Sequence, residues 1–184
     1  MLPSPRTYGF WLALVRIYTG IFWLEHGLGK LHTTPAFGAP GGPMATFLTQ
    51  QAAQTTGFYH AFLLGTVVPN LTPFAYAVEL GEMVAGALLL VGLFTRLGAF
   101  IGVVLALNYW LAKGGIEHMI ATSSGVHGFA GFGGLEMCAA VLTAISLVLP
   151  TGRVLGIDGL GQRRPKAAQQ ATFRPVGPPP QQRP

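Results

Sequence analysis

"FAYAVELGEMVAGALLLVGLFTRLGAFIGVVLALNYWLA" occupies residues 74–112, and its reading decides the fold class. A helix needs roughly 20 mainly apolar residues to cross the hydrocarbon core of a bilayer, at about 1.5 Å per residue. This stretch carries most of one such run, about Thr72–Phe94, and a second, shorter one, about Arg96–Ala112. A tight turn bearing Arg96 joins them. Gly81, Gly86, Gly98 and Gly102 fall inside the two runs. In a soluble helix they would be breakers; in a membrane small residues let helices approach closely.

Working outward, two more runs appear, about Tyr8–Leu28 and about Phe129–Leu149, the latter stopped by Pro150. The 184 residues are 51% hydrophobic and only 9% charged, where soluble domains carry about 25% charged residues. Mean hydropathy is +0.49. The expected fold is all-α and integral to the membrane: an antiparallel four-helix transmembrane bundle over 1–160, with a partly structured outer loop. The tail over 161–184 reads "RRPKAAQQATFRPVGPPPQQRP" from residue 163. It is too polar and proline-rich to bury a core, and disorder is expected there. Arg6 followed by apolar residues resembles a signal peptide, but Arg16 interrupts the run and no small-residue cleavage site follows. An uncleaved first helix is expected. Cys138 is the single cysteine, which excludes disulfides within the chain.

The sequence pI of about 9.8 does not point to nucleic acid, because the basic residues mark topology instead. Arg6, Arg96, Arg153, Arg163, Arg164, Lys166, Arg174 and Arg183 fall on one side of the expected spans, against Lys30 and Lys113 on the other. The positive-inside rule then places both termini in the cytoplasm of a multi-pass protein of the cell's inner membrane. The loops 29–71 and 113–128 face outward. Within the first, "TTPAFGAPGGP" (33–43) is a connector, and "FYHAFLLGTVVP" (58–69) is apolar but too short to span. An interfacial or re-entrant segment at the outer mouth is expected.

The chain has only six acidic residues, and Glu25, Glu79, Glu82 and Glu136 all fall within expected spans, with Arg16 and Asn108. A charge at a span centre costs about 2.5–3.5 kcal/mol on insertion scales, so such residues are functional candidates. The helix rise places all four acids in the outer half of the membrane, although they come from three helices. Glu79 and Glu82 are spaced i,i+3 and share a face. His26 and Lys30 are spaced i,i+4. A polar pocket open to the outer surface follows, roofed by the loop with His60 and the loop with Glu117, His118 and His127. Arg16 lies in the inner half and is expected to snorkel to headgroups. Blander readings stand beside this one. Glu25, His26 and Lys30 can be a hydrogen-bond cluster that ends the first helix, and Glu79 and Glu82 can pair with Arg16 or Lys30 as structural glue. His32 and His60 read as surface residues.

No metal is expected. Glu-His at 25–26 and Glu-x-x-Glu at 79–82 do not match the Glu-x-x-His spacing of di-iron bundles. "GFAGFGG" (128–134) is glycine-rich but follows no strand, and it is not a nucleotide loop. Carboxylates in low dielectric suit proton handling, which serves a quinone site and a transport pathway alike.

Three stretches carry a family resemblance: "RIYTGIFWLEHGLGK" (16–30), the residues 74–112 quoted above, and "LPTGRVLGIDGL" (149–160). Together they resemble the DoxX family, over about residues 10–160. The resemblance implies a small four-helix membrane protein. One branch, DoxD, is a subunit of thiosulfate:quinone oxidoreductase, which oxidises thiosulfate and passes electrons to membrane quinone. A soluble domain of the DoxA type is not read in this sequence, so thiosulfate activity by this chain alone is not expected. The leading expectation is a DoxX-like subunit of a quinone-linked oxidoreductase, with quinone as cofactor and the lipid bilayer and another protein subunit as partners. Glu25, His26, Glu79, Glu82 and Glu136 would be the catalytic, proton-handling residues. Lys30 and Asn108 would bind the quinone or an anionic substrate, with Tyr109 and Trp110 as further donors or packing. A non-catalytic scaffold or assembly subunit and a small transporter remain as alternatives; no internal repeat supports the last.

Overall fold

The computed structural model describes residues 5–116 and 135–162, all of them in helices, turns or irregular links, with no strand among them. The elements are α1 (Pro5–Leu31), α2 (Pro43–Ala52), α3 (Gly57–Phe62), α4 (Leu71–Val91), α5 (Thr95–Ala112) and α6 (Leu135–Val148). A π-helical turn over Leu63–Val67 and a 3-10 turn over Val68–Asn70 link α3 to α4. Two 3-10 turns, Thr151–Arg153 and Ile157–Gln162, follow α6.

The expected helices are present with small shifts. α1 extends three residues beyond the expected run at each end. α4 stops at Val91 rather than Phe94, because Gly92 adopts φ 70° and turns the chain. The Leu88 carbonyl accepts the N–H groups of both Gly92 and Leu93, which closes the helix end. α6 is described from Leu135 on; the expected start at Phe129, Glu117, His118, His127 and the tail from residue 163 lie outside the described residues.

α1 packs along α4, α4 against α5, α5 against α6, and α6 back against α1. Glycines permit the tightest of these contacts. A Cβ on Gly20 would lie 2.5 Å from the Leu90 nitrogen, one on Gly86 2.4 Å from the Leu24 nitrogen, and one on Gly27 2.9 Å from the Met83 nitrogen. Residue numbers fall on α4 as they rise on α1.

The distribution of side chains is the reverse of a soluble protein's. Much of the interior is small or polar: Ala13, Ala85, Ala99, Ala106, Thr19 and Thr143 are buried, beside Trp23 and Leu89. The outside is large and apolar: Trp11, Tyr18, Leu80, Leu97, Phe100 and Val141 are exposed. Water would penalise that outer surface heavily; lipid does not, and close helix contacts through small residues are how helices associate there. Gly57–Val91 and Thr95–Ala112 are long and apolar enough to cross a membrane, and Leu135–Val148 is a shorter apolar helix.

The first long loop is more ordered than a partly structured connector. Pro43 opens α2 at its first turn, and α3 runs through the π and 3-10 turns into α4 without an extended break. Met44, Leu48, Leu63 and Val67 are buried and cluster with Ala75, so residues 43–70 form an apolar roof on the Lys30 end of the long helices.

At the other end, the chain after α6 returns as a strap. The Asp158 carboxylate accepts hydrogen bonds from the backbone N–H of Phe94 (2.9 Å), the N–H of Thr95 (3.0 Å) and the Thr95 hydroxyl (2.7 Å). It thereby caps α5 from 63 residues away in sequence. Arg16 does not snorkel. It is wholly buried, and its Nη2 donates to the Leu155 carbonyl at 2.6 Å. Gly92 and Gly156 lie flat against the guanidinium. The strap supplies one carbonyl and the nearby charge of Asp158, while Nε and Nη1 are buried without a hydrogen-bond partner among the described residues.

Candidate functional site

Under the roof lies a cavity of about 630 Å³, within the range of small-molecule and cofactor sites. Its walls are mainly apolar and aromatic, with Phe22, Trp23, Phe62 and Phe74 among them. Polar groups enter from three helices: His26 and Lys30 from α1, Glu82 from α4, and Asn108 and Tyr109 from α5. Lys113 and Glu136 enter where α5 ends and α6 begins.

Glu82 is fully buried, and both its oxygens are engaged. Lys30 Nζ donates to Oε2 at 2.5 Å, and the Tyr109 hydroxyl donates to Oε1 at 2.8 Å. Lys30 also lies over the rings of Phe37 (5.4 Å) and Tyr109 (5.7 Å), which favour a cation on their faces. Lys113 pairs with Glu136. Glu136 therefore has a basic partner, and Lys30 rather than Arg16 meets Glu82. His26 Nδ1 is 2.8 Å from the Phe22 carbonyl, so that nitrogen carries the hydrogen and Nε2 is left for another partner. The Tyr59 hydroxyl donates to Asn108 Oδ1 at 2.6 Å and tethers the roof to α5. The floor is set by Trp23, whose Nε1 donates to Thr143 Oγ1 at 3.0 Å across the bundle.

The structure thus brings His26, Lys30, Glu82, Asn108, Tyr109 and Glu136 around one cavity. It does not bring in the other expected residues. Glu25 is exposed on α1 and does not line the cavity. Trp110 is half-buried and sits against Gly115 instead. Glu79 is buried but lines a separate recess of about 380 Å³, together with Ala36, Gly38, Thr72 and Tyr76. Lys30 and Phe37 line both spaces and form the wall between them. His60 Nδ1 lies 2.9 Å from the Ala52 carbonyl and holds the roof together rather than facing the cavity. Sequence reading missed Trp23, Tyr59 and the roof aromatics. The one available signal was "FYHAF" at 58–62, an aromatic cluster in a segment too short to span. Among the described residues, no three of His, Cys, Asp or Glu converge to hold a metal ion.

Described residues that form helices with small and polar residues among those inside, large apolar residues outside, and a buried carboxylate–ammonium pair at a cavity define a helical membrane protein. The chain belongs to the DoxX family, whose family model matches residues 11–114. That span runs from within α1 to just past the end of α5, and so includes Lys30, Glu82 and Tyr109. No curated protein and no solved structure matches the chain.

Proposed function

We propose that this DoxX-family protein is a subunit of a quinone-linked oxidoreductase, holding quinone in the roofed cavity. In this reading α1, α4, α5 and α6 form an antiparallel four-helix transmembrane bundle in the inner membrane, with both termini cytoplasmic and the cavity in the outer half. The observation that carries the reading is the joining of an apolar space of about 630 Å³ to one buried Lys30–Glu82–Tyr109 cluster. The residues fit the ligand class. A quinone is a flat apolar ring with two carbonyl acceptors, and Asn108 carries a side-chain amide donor at the cavity wall. Phe22, Phe62 and Phe74 offer ring faces.

When bound, the quinone supplies two-electron chemistry coupled to protons, with the electrons coming from a donor on another protein subunit. The chain's own residues orient and protonate. The Asn108 side-chain amide, its Oδ1 held by Tyr59, donates a hydrogen bond toward a carbonyl oxygen. Glu82, between Lys30 and Tyr109, holds a proton for that oxygen. The roof residues 43–70 exclude water, which strengthens these contacts.

The test is quinone bound per chain after purification from native membranes in mild detergent, with Glu82→Gln as control. Near-stoichiometric quinone that falls in the variant supports the reading. No quinone in either protein sinks it.

A second reading rests on Glu25, an exposed carboxylate on a lipid-facing helix with no hydrogen-bond or ion-pair partner among the described residues. An acid there suits a basic residue of a partner helix. As a scaffold, the protein would lose complex yield in Glu25→Gln while its quinone content stayed the same.

A further inference from the structure

Glu79 does not fit the cavity chemistry, yet it is only 6% exposed. Among the described residues nothing bonds to its carboxylate. A buried carboxylate without a partner costs several kcal/mol unless it takes a proton or a cation. It faces the recess of about 380 Å³ rather than the cavity, and the only charged group that lines the recess with it is Lys30. Tyr76 is the one other titratable group there.

Lys30 thus borders both acids: it pairs with Glu82 and lines the recess with Glu79, although no ion pair joins it to Glu79. Lys30 donates to Glu82 on the cavity side, and makes a long contact of 3.4 Å to the His26 carbonyl. An ammonium has three N–H donors, so one remains for the recess side. The backbone brings the groups close. A Cβ on Gly27 would lie 3.2 Å from the Glu79 carbonyl, and Lys30 is the next residue of α1 on that face.

We propose that Glu79 is a proton-exchange port: it takes protons from the aqueous side through the recess and hands them through Lys30 to Glu82. This rests on the quinone reading above for what consumes the protons, but the port itself does not. In one transfer Lys30 gives a proton to Glu82 Oε2 and receives, through water in the recess, one that leaves Glu79. The ammonium is restored, and one proton has moved from recess to cavity. The wall of Lys30 and Phe37 passes protons while keeping bulk water out of the apolar space. No other group lines both spaces and titrates, so Lys30 is the single crossing point among the described residues.

The first experiment needs no quinone. The full chain in its membrane is treated with dicyclohexylcarbodiimide, which adds to protonated carboxyls in apolar surroundings, and the labelled peptides are mapped by mass spectrometry. Glu79 should be labelled ahead of Glu82, whose oxygens Lys30 and Tyr109 occupy. An unlabelled Glu79, or Glu82 labelled first, would overturn the port.

The second experiment uses the chain in nanodiscs with a short-chain ubiquinone reduced at an electrode. Glu79→Gln should retain quinone but slow its reduction by about a hundredfold, the low end of general acid–base effects, and formate should restore the rate as a substitute proton carrier. Wild-type rates in Glu79→Gln with quinone bound would overturn the port. Absence of quinone from the wild-type protein would count against the proposed function alone, leaving the labelling result to decide the port.

Discussion

The two ends of the helix bundle use the same ingredients for opposite purposes. Each places a basic residue of α1 beside a carboxylate from elsewhere in the chain: Arg16 near Asp158 at one end, Lys30 on Glu82 at the other. At the Arg16 end no space is left. A Cβ on Gly92 would sit 1.6 Å from Arg16 Nη1, and one on Gly152 would sit 2.5 Å from Asp158 Oδ2. At the Lys30 end the same kind of charge pair borders an open cavity. Buried charge alone therefore does not make a site. The difference lies in what surrounds it: glycines that close the strap onto Arg16, and bulky roof residues that hold residues 43–70 away from Lys30.

Breaking the closed end should have the largest effect. Gly92→Ala puts a methyl group into the Arg16 guanidinium at a φ of 70°, a conformation that L side chains rarely adopt. Backbone strain and overpacking together should cost about 3–5 kcal/mol, read as loss of folded protein or a large fall in thermal midpoint in detergent. Asp158→Asn should cost less, about 1–2 kcal/mol, by weakening the α5 cap.

Asp158 also sharpens the comparison through pH. Burial pushes its carboxyl up, but the Thr95 hydroxyl, the N–H groups of Thr95 and Phe94, and the charge of Arg16 outweigh that and hold it below its ordinary value of 3.8. A carboxyl lowered by folding contributes stability above its unfolded pKa and loses it as pH falls through the folded one. Wild-type protein should therefore lose stability as pH drops below about 3.8, more steeply than Asp158→Asn in parallel melts.

At the open end, Val78→Trp should fill the cavity from α4 and abolish quinone retention with little change in melting, because Val78 lines the space without being fully buried. Trp23→Phe removes the floor bond to Thr143 and should cost about 1 kcal/mol. Tyr59→Phe should have the smallest effect, about 0.5 kcal/mol, seen as faster hydrogen exchange confined to residues 43–70.

Helix positions were legible because apolar runs of span length have few alternatives. The end of α4 was placed late because Phe94 is as apolar as the helix before it, and only the glycine at 92 marks the turn. The roof was illegible in detail: an apolar segment too short to span can lie on the membrane, re-enter it or cover a cavity, and only packing chooses. Within the site, depth was legible and azimuth was not. Glu25 and His26 are adjacent, so they point about 100° apart on a helix, and just His26 reaches the cavity. Glu79 and Glu82 share a face, but a three-residue step falls about 60° short of a full turn, enough to send them to different spaces. The burial of Arg16 is not legible in the sequence because what surrounds it, Gly92 and the strap near Leu155, is far away along the chain.

The most direct measurement is photolabelling of the full chain in native membranes with an azido-quinone, followed by peptide mapping. The account predicts label on cavity residues, with Tyr59, Phe62 and Tyr109 foremost, and its loss in Val78→Trp. Label spread over lipid-facing residues such as Trp11, Tyr18 and Phe100, unchanged in Val78→Trp, would contradict it.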